Sequence, residues 1–259
     1  MIFFADTVVK PYIASSGYRR VCEIGASLGL TTDKLLELDS VSVDIIDPCL
    51  DADLCEKYEG QERVRVHKGI SLEVLQRLSG PFDCILIDGD HNWYTVYNEL
   101  RMIEERGLLR RGGTIFFHDV SWPYGRRDMY YRPELIPEEF IHPFRREGIV
   151  RGRSELSDSS SFNVDLCNAA HEGGPRNGVL TAVEDFFKER RGEYKFFHFE
   201  EEHGLGVLFR TEGMLGGSIF RKYLLKATYS RLLRRVRGVK RYYHALKSPR
   251  GARSRGGPN

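Results

Sequence analysis

Strand-like and helix-like segments alternate five times between residues 20 and 117, and this alternation restricts the fold more than any other feature of the sequence. The clearest segment is residues 82–88, FDCILID, which is apolar almost throughout. Such a run is typical of a parallel strand that is covered on both faces. Strands that are separated by helices form parallel sheets through right-handed crossovers. The sequence therefore predicts an α/β fold built on a mostly parallel sheet.

The bounds of the elements follow from hydrophobic periodicity and from turn residues. We predict strands at 20–24, 41–46, 63–67, 82–88 and 114–117, and helices at 31–38, 71–78, 93–109 and 177–190. Thr31 or Thr32 is expected to cap the first of these helices, and Gly112-Gly113 to end the third. Strands at 194–199 and 204–209, joined by a short link, predict an antiparallel hairpin. Together the segments predict a doubly wound, seven-stranded sheet with an antiparallel C-terminal hairpin.

Residues 120–176 interrupt the pattern. This stretch is rich in Pro, Arg, Tyr and Ser and has no regular period. An irregular segment of this length inside a compact domain is usually a lid or a binding loop. Its first part, residues 122–131, is dense in aromatic and arginine side chains, which either cover a ligand or pack on the body of the protein. We therefore predict one domain at 1–213 with an insertion at about 120–176.

Composition limits the class of protein. A chain of 259 residues that is 41% hydrophobic suits one α/β domain with an appendage. No apolar run approaches the roughly 20 residues that a bilayer-spanning helix needs. Asp6 comes too early for a secretory signal. The cysteines are odd in number and include no C-x-x-C pair, which argues against a disulfide framework or a zinc site. We expect a cytoplasmic protein.

Charge is distributed unevenly along the chain. Residues 221–259 hold 13 Lys and Arg and no Asp or Glu, which leaves 26 basic and 37 acidic residues in the rest, a net charge of −11. Seven apolar residues from Leu225 to Leu246 alternate steps of three and four and form a heptad stripe. Such a helix can lie on an anionic membrane, pair with a second helix in a homo-oligomer, or fold onto the acidic body. We predict a basic amphipathic helix at 214–247, attached through 221–247 to the inner membrane surface, and a disordered tail at 248–259.

A glycine-containing turn, Glu23-x-Gly25-x-x-x-Gly29, lies between the first predicted strand and the first predicted helix. Glycine lets the backbone approach a ligand closely, and the helix start offers free N–H groups to an anion. About twenty residues further on, Asp47 ends the second predicted strand, where an acid can accept hydrogen bonds from two ribose hydroxyls. A tight structural turn explains the glycines alone equally well. The combination leaves a dinucleotide site and an S-adenosylmethionine site open, although Ser27 stands where the dinucleotide fingerprint has its second glycine.

Four motifs resemble a known enzyme family. Residues 21–29, VCEIGASLG, and 43–47, VDIID, resemble the first two motifs of class I S-adenosylmethionine-dependent methyltransferases. Residues 82–91, FDCILIDGDH, and 112–119, GGTIFFHD, resemble the branch that contains macrocin-type sugar O-methyltransferases and related small-molecule O-methyltransferases. The resemblance covers about residues 18–120, and the C-terminal hairpin fits the same Rossmann-like fold. Ser27 departs from the common E-x-G-x-G-x-G form.

The resemblance implies a role for each matching position in binding S-adenosylmethionine. Glu23 would lie near the amino group of the methionine part, Thr31 would face its carboxylate, and Asp47 would hold the ribose. The remaining cofactor-binding positions are Gly25, Ala26 and Ser27 along the cofactor, and Gly69, Ile70 and Ser71 beside the adenine.

Ionisable side chains follow the fourth and fifth predicted strands: Asp88, His91, His118 and Asp119. The carboxyl ends of neighbouring parallel strands border one crevice. The resemblance implies that Asp88, His118 and Asp119 hold Mg²⁺ or Mn²⁺, and that Asp88 and His91 are catalytic, with His91 as general base. A metal lowers the pKa of a hydroxyl while a base takes its proton. His118 departs from the acid–acid or acid–amide pair of the family. Each side chain also has a structural alternative: hydrogen bonds to backbone amides, capping, or exposure to solvent.

These observations predict methyl transfer to a hydroxyl of a small molecule or a sugar-containing acceptor. One alternative is the same fold acting on a nitrogen or a nucleic acid. A second is a nucleic-acid-binding protein without enzymatic activity that uses its basic tail. The net charge of −11 on the body argues against nucleic acid, because such grooves are normally basic. The N/D-P-P-[FYW] signature of nucleobase amino-methyltransferases is replaced by Asp88-Gly89-Asp90-His91.

Overall fold

The computed structural model describes residues 1–50, 52–158, 161–211 and Lys222. The strands within these residues are β1 Arg20–Ile24, β2 Ser42–Asp47, β3 Val64–Lys68, β4 Phe82–Ile87, β5 Leu109–His118, β6 Met129–Tyr130, β7 Phe144–Arg145, β8 Cys167–Ala169, β9 Tyr194–Phe199 and β10 Leu205–Arg210. Seven of these described strands form one sheet in the order β3-β2-β1-β4-β5-β10-β9. Strands β1 to β5 are parallel, and β10 is antiparallel to both β5 and β9. The predicted doubly wound sheet with an antiparallel C-terminal hairpin is confirmed.

Helices cover both faces of this sheet. The described α-helices are α1 Ile2–Phe4, α2 Lys10–Ser16, α3 Leu30–Leu36, α4 Ala52–Tyr58, α5 Ser71–Val74, α6 Trp93–Glu105 and α7 Val179–Glu189. A π-helical turn at Ala5–Val9 joins α1 to α2, and short 3₁₀ turns lie at Pro133–Leu135 and Glu138–Phe140. The first four helices pack on one face and α5 to α7 on the other. Each face therefore buries its own apolar core, as parallel strands require.

None of the described helices combines the length and the apolar character that crossing a bilayer requires. The predicted basic helix at 214–247 and tail at 248–259 lie outside the described residues, apart from Lys222.

Four details of the predicted helices are wrong. The helix that starts at Trp93 ends at Glu105, because Gly107 adopts φ 61° and Leu108 N–H donates to the Ile103 carbonyl, the arrangement of a glycine-terminated helix. Gly112-Gly113 lies inside β5 instead. Helix α5 stops at Val74. Thr31 and Thr32 lie within α3, which Gly29 precedes at φ 71° without a side-chain cap.

The insertion contains a small sheet of its own. Strands β6, β8 and β7 pair antiparallel in that order, in a stretch where the sequence showed no period. Strands of two or three residues are too short to produce a readable alternation. The Asp128 carboxylate joins the insertion to α6 and α7, because Oδ1 accepts from Trp93 N–H at 2.7 Å and from Gly178 N–H at 2.6 Å. The insertion is thus fastened to the same helices that cover the sheet.

Candidate active site

Gly25 brings the turn after β1 against the turn after β4. It adopts φ 85°, and a Cβ atom there would lie 2.4 Å from both the Asp88 carbonyl oxygen and Gly89 Cα. Only glycine allows this approach, because any side chain would push the two turns apart. The carboxyl ends of β1 and β4 therefore meet in one crevice.

Asp47 ends β2 at the border of this crevice. Its Oδ2 accepts from Ser27 N–H at 2.8 Å, and its Oδ1 accepts from Cys49 N–H at 2.7 Å. Ser27 reaches this position with φ 50°, a left-handed conformation that few non-glycine residues adopt. Two backbone donors thus orient the carboxylate, and each oxygen keeps a lone pair for a ligand.

Glu23 lies beneath the same turn. The side chain is almost fully buried, and the Thr32 hydroxyl donates to it. Burial raises the pKa of Glu23 to about 7, and the nearby charges of Asp88 and Asp47 act in the same direction. Thr31 is buried in the first turn of α3, and Ala26 is buried in the turn after β1.

The residues that are expected to contact the adenine, Gly69, Ile70 and Ser71, lie between the end of β3 and the start of α5. Gly69 follows β3 and donates its N–H to the Asp47 carbonyl at 3.2 Å. Ile70 precedes α5 in an extended conformation, and Ser71 opens that helix with a buried side chain. The structure thus brings the cofactor-binding positions predicted from the sequence to the carboxyl ends of β1, β2 and β3.

The four ionisable side chains at the ends of β4 and β5 form one connected cluster. His91 Nε2 donates to Asp119 Oδ2 at 2.7 Å. His118 Nδ1 donates to the same oxygen at 2.9 Å and lies 3.1 Å from Asp88 Oδ1. Asp119 is buried and adopts φ 57°, a strained conformation that turns its carboxylate toward both imidazoles.

In this cluster, each charged side chain stabilises the charged form of its neighbours. Burial lowers the pKa of His118, but its hydrogen bonds with Asp119 and Asp88 outweigh burial and raise it to about 9. Burial opposes the charged form of Asp119 as well, yet His91 and His118 hold its pKa well below the usual range. His118 Nε2 also donates to the Glu202 carbonyl at 3.1 Å. Both His118 nitrogens therefore carry protons, and His118 behaves as a cation between two carboxylates.

A second set of contacts concerns metal binding. Among the described residues, Asp88, His91 and Asp119 can each direct one ligand atom to a common point, with these atoms within 4.8 Å of one another. The α-amino group of Met1 donates to Asp88 Oδ2 at 2.5 Å. The donor set of two carboxylates and an imidazole suits Mg²⁺ or Mn²⁺.

The insertion and the hairpin supply walls that the sequence did not reveal. Tyr124 and Tyr131 present their rings edge-on to His91, at centroid distances of 5.5 and 5.9 Å. The His91 carbonyl accepts from Met129 N–H at 3.1 Å, which ties the start of β6 to the cluster. At the hairpin tip, His203 Nδ1 donates to the Trp122 carbonyl at 3.1 Å. In the sequence, the aromatic residues at 122–131 indicated that the insertion could contribute to the site. No sequence pattern indicated that the hairpin tip would do so.

Comparisons with known proteins place this geometry in context. Residues 22–120 match the model of a family described as a methyltransferase domain. Curated proteins give no significant match. Similar solved structures include PaMTH1 of Podospora anserina with bound S-adenosylhomocysteine (SAH), at 16% identity and TM-score 0.47, over 77% of this chain and 75% of that one. An O-methyltransferase of Bacillus cereus with SAH has 17% identity and TM-score 0.46, over 78% of each chain. TomG of Streptomyces achromogenes, an O-methyltransferase of tomaymycin synthesis, has 14% identity and TM-score 0.46, over 79% of this chain and 78% of that one.

Proposed function

We propose that this chain, a methyltransferase by its match over residues 22–120, transfers the methyl group of S-adenosylmethionine to a hydroxyl of a small or sugar-containing acceptor. The match extends over β1 to β5 and the turns that follow them, which are the elements that carried the resemblance to class I methyltransferases. That resemblance is thereby confirmed. The choice of a hydroxyl as acceptor rests on the chemistry of the cluster at the ends of β4 and β5.

The observation that carries the proposal is the pairing of His91 with Asp119. Asp119 holds the ring through Nε2, and His91 Nδ1 is buried with no hydrogen-bond partner among the described groups. A carboxylate that binds one ring nitrogen leaves the other free to take a proton. His91 is therefore suited to act as the general base.

The reaction requires one proton transfer. S-adenosylmethionine supplies an electrophilic methyl group on a positively charged sulfur. Transfer of this methyl group would join its carbon to the acceptor oxygen and break its bond to sulfur, and the sulfur would leave as a neutral thioether. The hydroxyl proton passes to His91, and Asp119 stabilises the resulting imidazolium. Tyr124 and Tyr131, whose rings lie edge-on to His91, would restrict the acceptor to a suitable orientation.

The cofactor-binding roles remain as the resemblance implies them. Asp47, already oriented by two backbone donors, is suited to accept from the ribose hydroxyls. Glu23, Gly25, Ala26, Ser27 and Thr31 would surround the methionine part, and Gly69, Ile70 and Ser71 the adenine.

We also propose that Asp88 and Asp119 hold a divalent cation. Their carboxylates are of the kind that binds Mg²⁺ or Mn²⁺; an ion there would replace the Met1 amino group on Asp88 and would lower the pKa of the acceptor hydroxyl. The role of His118 as a third ligand has less support, because both of its nitrogens donate hydrogen bonds. A protonated imidazole has no lone pair for a metal.

The location of the enzyme is a separate proposal. Residues 221–247, basic and with an apolar stripe, would attach a cytoplasmic enzyme to the anionic inner surface of the membrane.

The test is transfer of an isotope-labelled methyl group from S-adenosylmethionine to phenols and sugars, measured for the wild type and for His91→Gln. The variant is expected to lose on the order of 100-fold or more in kcat, the usual contribution of a general base. Its affinity for SAH should stay within about threefold of the wild type, which is less than 1 kcal/mol. His67→Gln serves as the control, because it removes an imidazole on β3 that pairs with Asp44 on β2. A wild-type rate in His91→Gln would mean that another group takes the proton.

A further inference from the structure

Tyr58, the last residue of α4, contacts the turn that follows β1. Its side chain is buried, and its hydroxyl donates to the Gly29 carbonyl at 3.0 Å. The two residues approach so closely that a Cβ atom on Gly29 would lie 2.5 Å from Tyr58 Oη. Burial raises the pKa of Tyr58, and the neighbouring Asp33 acts in the same direction, so the hydroxyl keeps its proton near neutral pH. The reaction and the cofactor contacts proposed above do not use Tyr58.

The turn at residues 25–29 has a backbone that requires support. Three of its five residues, Gly25, Ser27 and Gly29, have positive φ angles of 85°, 50° and 71°. Such conformations persist only where the surrounding structure fixes them. The start and the middle of the turn are fixed to β2, because the N–H groups of Gly25 and Ser27 donate to it at 2.9 and 2.8 Å. The end of the turn is held from the other side, by the hydroxyl of Tyr58.

A second acceptor lies beside the Tyr58 hydroxyl. Asp33 Oδ1 is also 3.0 Å from Tyr58 Oη, and Asp33 Oδ2 accepts from Lys57 Nζ at 2.5 Å. A hydroxyl has a single proton, so the Gly29 carbonyl and the Asp33 carboxylate compete for it. Substitution of Asp33 therefore separates a role of Tyr58 in holding the turn from a role in holding the Asp33 side chain.

We propose that Tyr58 is a positioning residue for the cofactor, which acts by fixing the Gly29 carbonyl and with it the turn at residues 25–29. This inference rests on the proposed function, in which residues of this turn surround the methionine part of S-adenosylmethionine. Without the Tyr58 hydroxyl, a smaller fraction of molecules holds the turn in its binding conformation. The affinity for the cofactor falls in proportion to that fraction.

The effect of Tyr58 should be specific to the methionine part. Asp47, assigned to the ribose, keeps its hydrogen bond from Cys49 N–H at 2.7 Å, and residues 69–71, assigned to the adenine, lie in the loop after β3. The analogue 5′-methylthioadenosine keeps the adenosine and the thioether sulfur of SAH but lacks its amino and carboxyl groups. Loss of the Tyr58 hydroxyl should therefore weaken SAH more than the analogue, whereas a general loss of stability would affect both alike.

The experiment is calorimetric titration of the wild type and of Tyr58→Phe with SAH and with 5′-methylthioadenosine. The variant should bind SAH about five- to tenfold more weakly, as expected for the loss of one hydrogen bond. Its affinity for 5′-methylthioadenosine should stay within about twofold of the wild type. Tyr18→Phe is the matched control, because Tyr18 is also buried and its hydroxyl donates to the Gly112 carbonyl at 2.6 Å, before the start of β1. This control should leave both affinities unchanged.

Further outcomes decide how Tyr58 acts. Asp33→Asn removes the competing carboxylate and should keep the SAH affinity within about twofold of the wild type. A loss in Asp33→Asn equal to that in Tyr58→Phe would mean that the hydroxyl acts through Asp33, and would overturn the inference. An unchanged SAH affinity in Tyr58→Phe, or an equal loss for both nucleosides, would overturn it as well.

A measurement on the wild type decides if Tyr58→Phe does not fold. Binding of SAH should then slow amide hydrogen exchange in α4 as well as in the turn at residues 25–29, because the ligand stabilises the contact between them. Unchanged exchange in α4 would overturn the inference. A wild-type protein that binds neither nucleoside refutes the proposed function together with the inference.

Discussion

Substitution of Gly25 by alanine tests whether the crevice depends on contact between the turns after β1 and β4. The new methyl group would lie 2.4 Å from the Asp88 carbonyl oxygen and from Gly89 Cα, at a backbone φ of 85°. Left-handed conformations cost a non-glycine residue about 1–2 kcal/mol, and overpacking typically costs about 1–3 kcal/mol more. We therefore expect Gly25→Ala to lower the free energy of unfolding by about 2–5 kcal/mol, and to weaken SAH binding as Asp88 is displaced.

Gly17→Ala is the matched control for this substitution. Gly17 ends α2 with φ 65°, and a Cβ atom there would meet no atom within 4 Å. Only the conformational cost applies, so a loss of about 1–2 kcal/mol and unchanged SAH affinity are expected. Urea denaturation gives both free energies, and calorimetry gives the affinities. Equal destabilisation by the two substitutions, with SAH binding intact in Gly25→Ala, would refute the close contact between the turns.

Three further predictions concern the cofactor, the metal and the tail. Asp47→Ala should weaken SAH binding by on the order of 1.5–3 kcal/mol, the usual worth of a hydrogen bond to a charged group; unchanged binding would exclude the ribose role. Chelator-treated enzyme should lose methyl transfer and regain it with Mg²⁺ or Mn²⁺, whereas full activity after chelation would contradict the metal proposal. Protein truncated after residue 220 should remain folded and active but no longer sediment with acidic liposomes. If the full-length protein does not bind such liposomes at low salt and truncation lowers the melting temperature, the tail packs on the acidic body and the membrane proposal is wrong.

The sequence predicted the main sheet well because its strands are buried on both faces. Phe82–Ile87 is apolar almost throughout, and β2, β3 and β5 end in polar residues that mark their carboxyl ends: Asp47, Lys68 and His118. The helical segment from Ile2 to Ser16 and the helix Ala52–Tyr58 were missed. Pro11 and a π-helical turn disturb the 3.6-residue period of the first segment, and the second is only two turns long. Short or irregular helices depend on tertiary packing, which local patterns do not report.

The placement of the candidate site residues could be predicted from the sequence to the extent that these residues end strands. Asp88, His118 and Asp119 follow directly from the bounds of β4 and β5, and the structure places them within hydrogen-bonding reach. The detailed pairing could not be predicted, because it depends on the left-handed backbone of Asp119 and on the Glu202 carbonyl at the hairpin tip. Contacts of this kind join residues that are distant in the chain and leave no local pattern.

Titration of the wild-type protein with SAH and, separately, with NAD tests the central claim most directly. The same glycine turn and the same acid at the end of β2 serve both classes of nucleotide, so binding alone decides between them. The account predicts saturable binding of one SAH per chain and none of NAD. Binding of NAD without binding of SAH would contradict it.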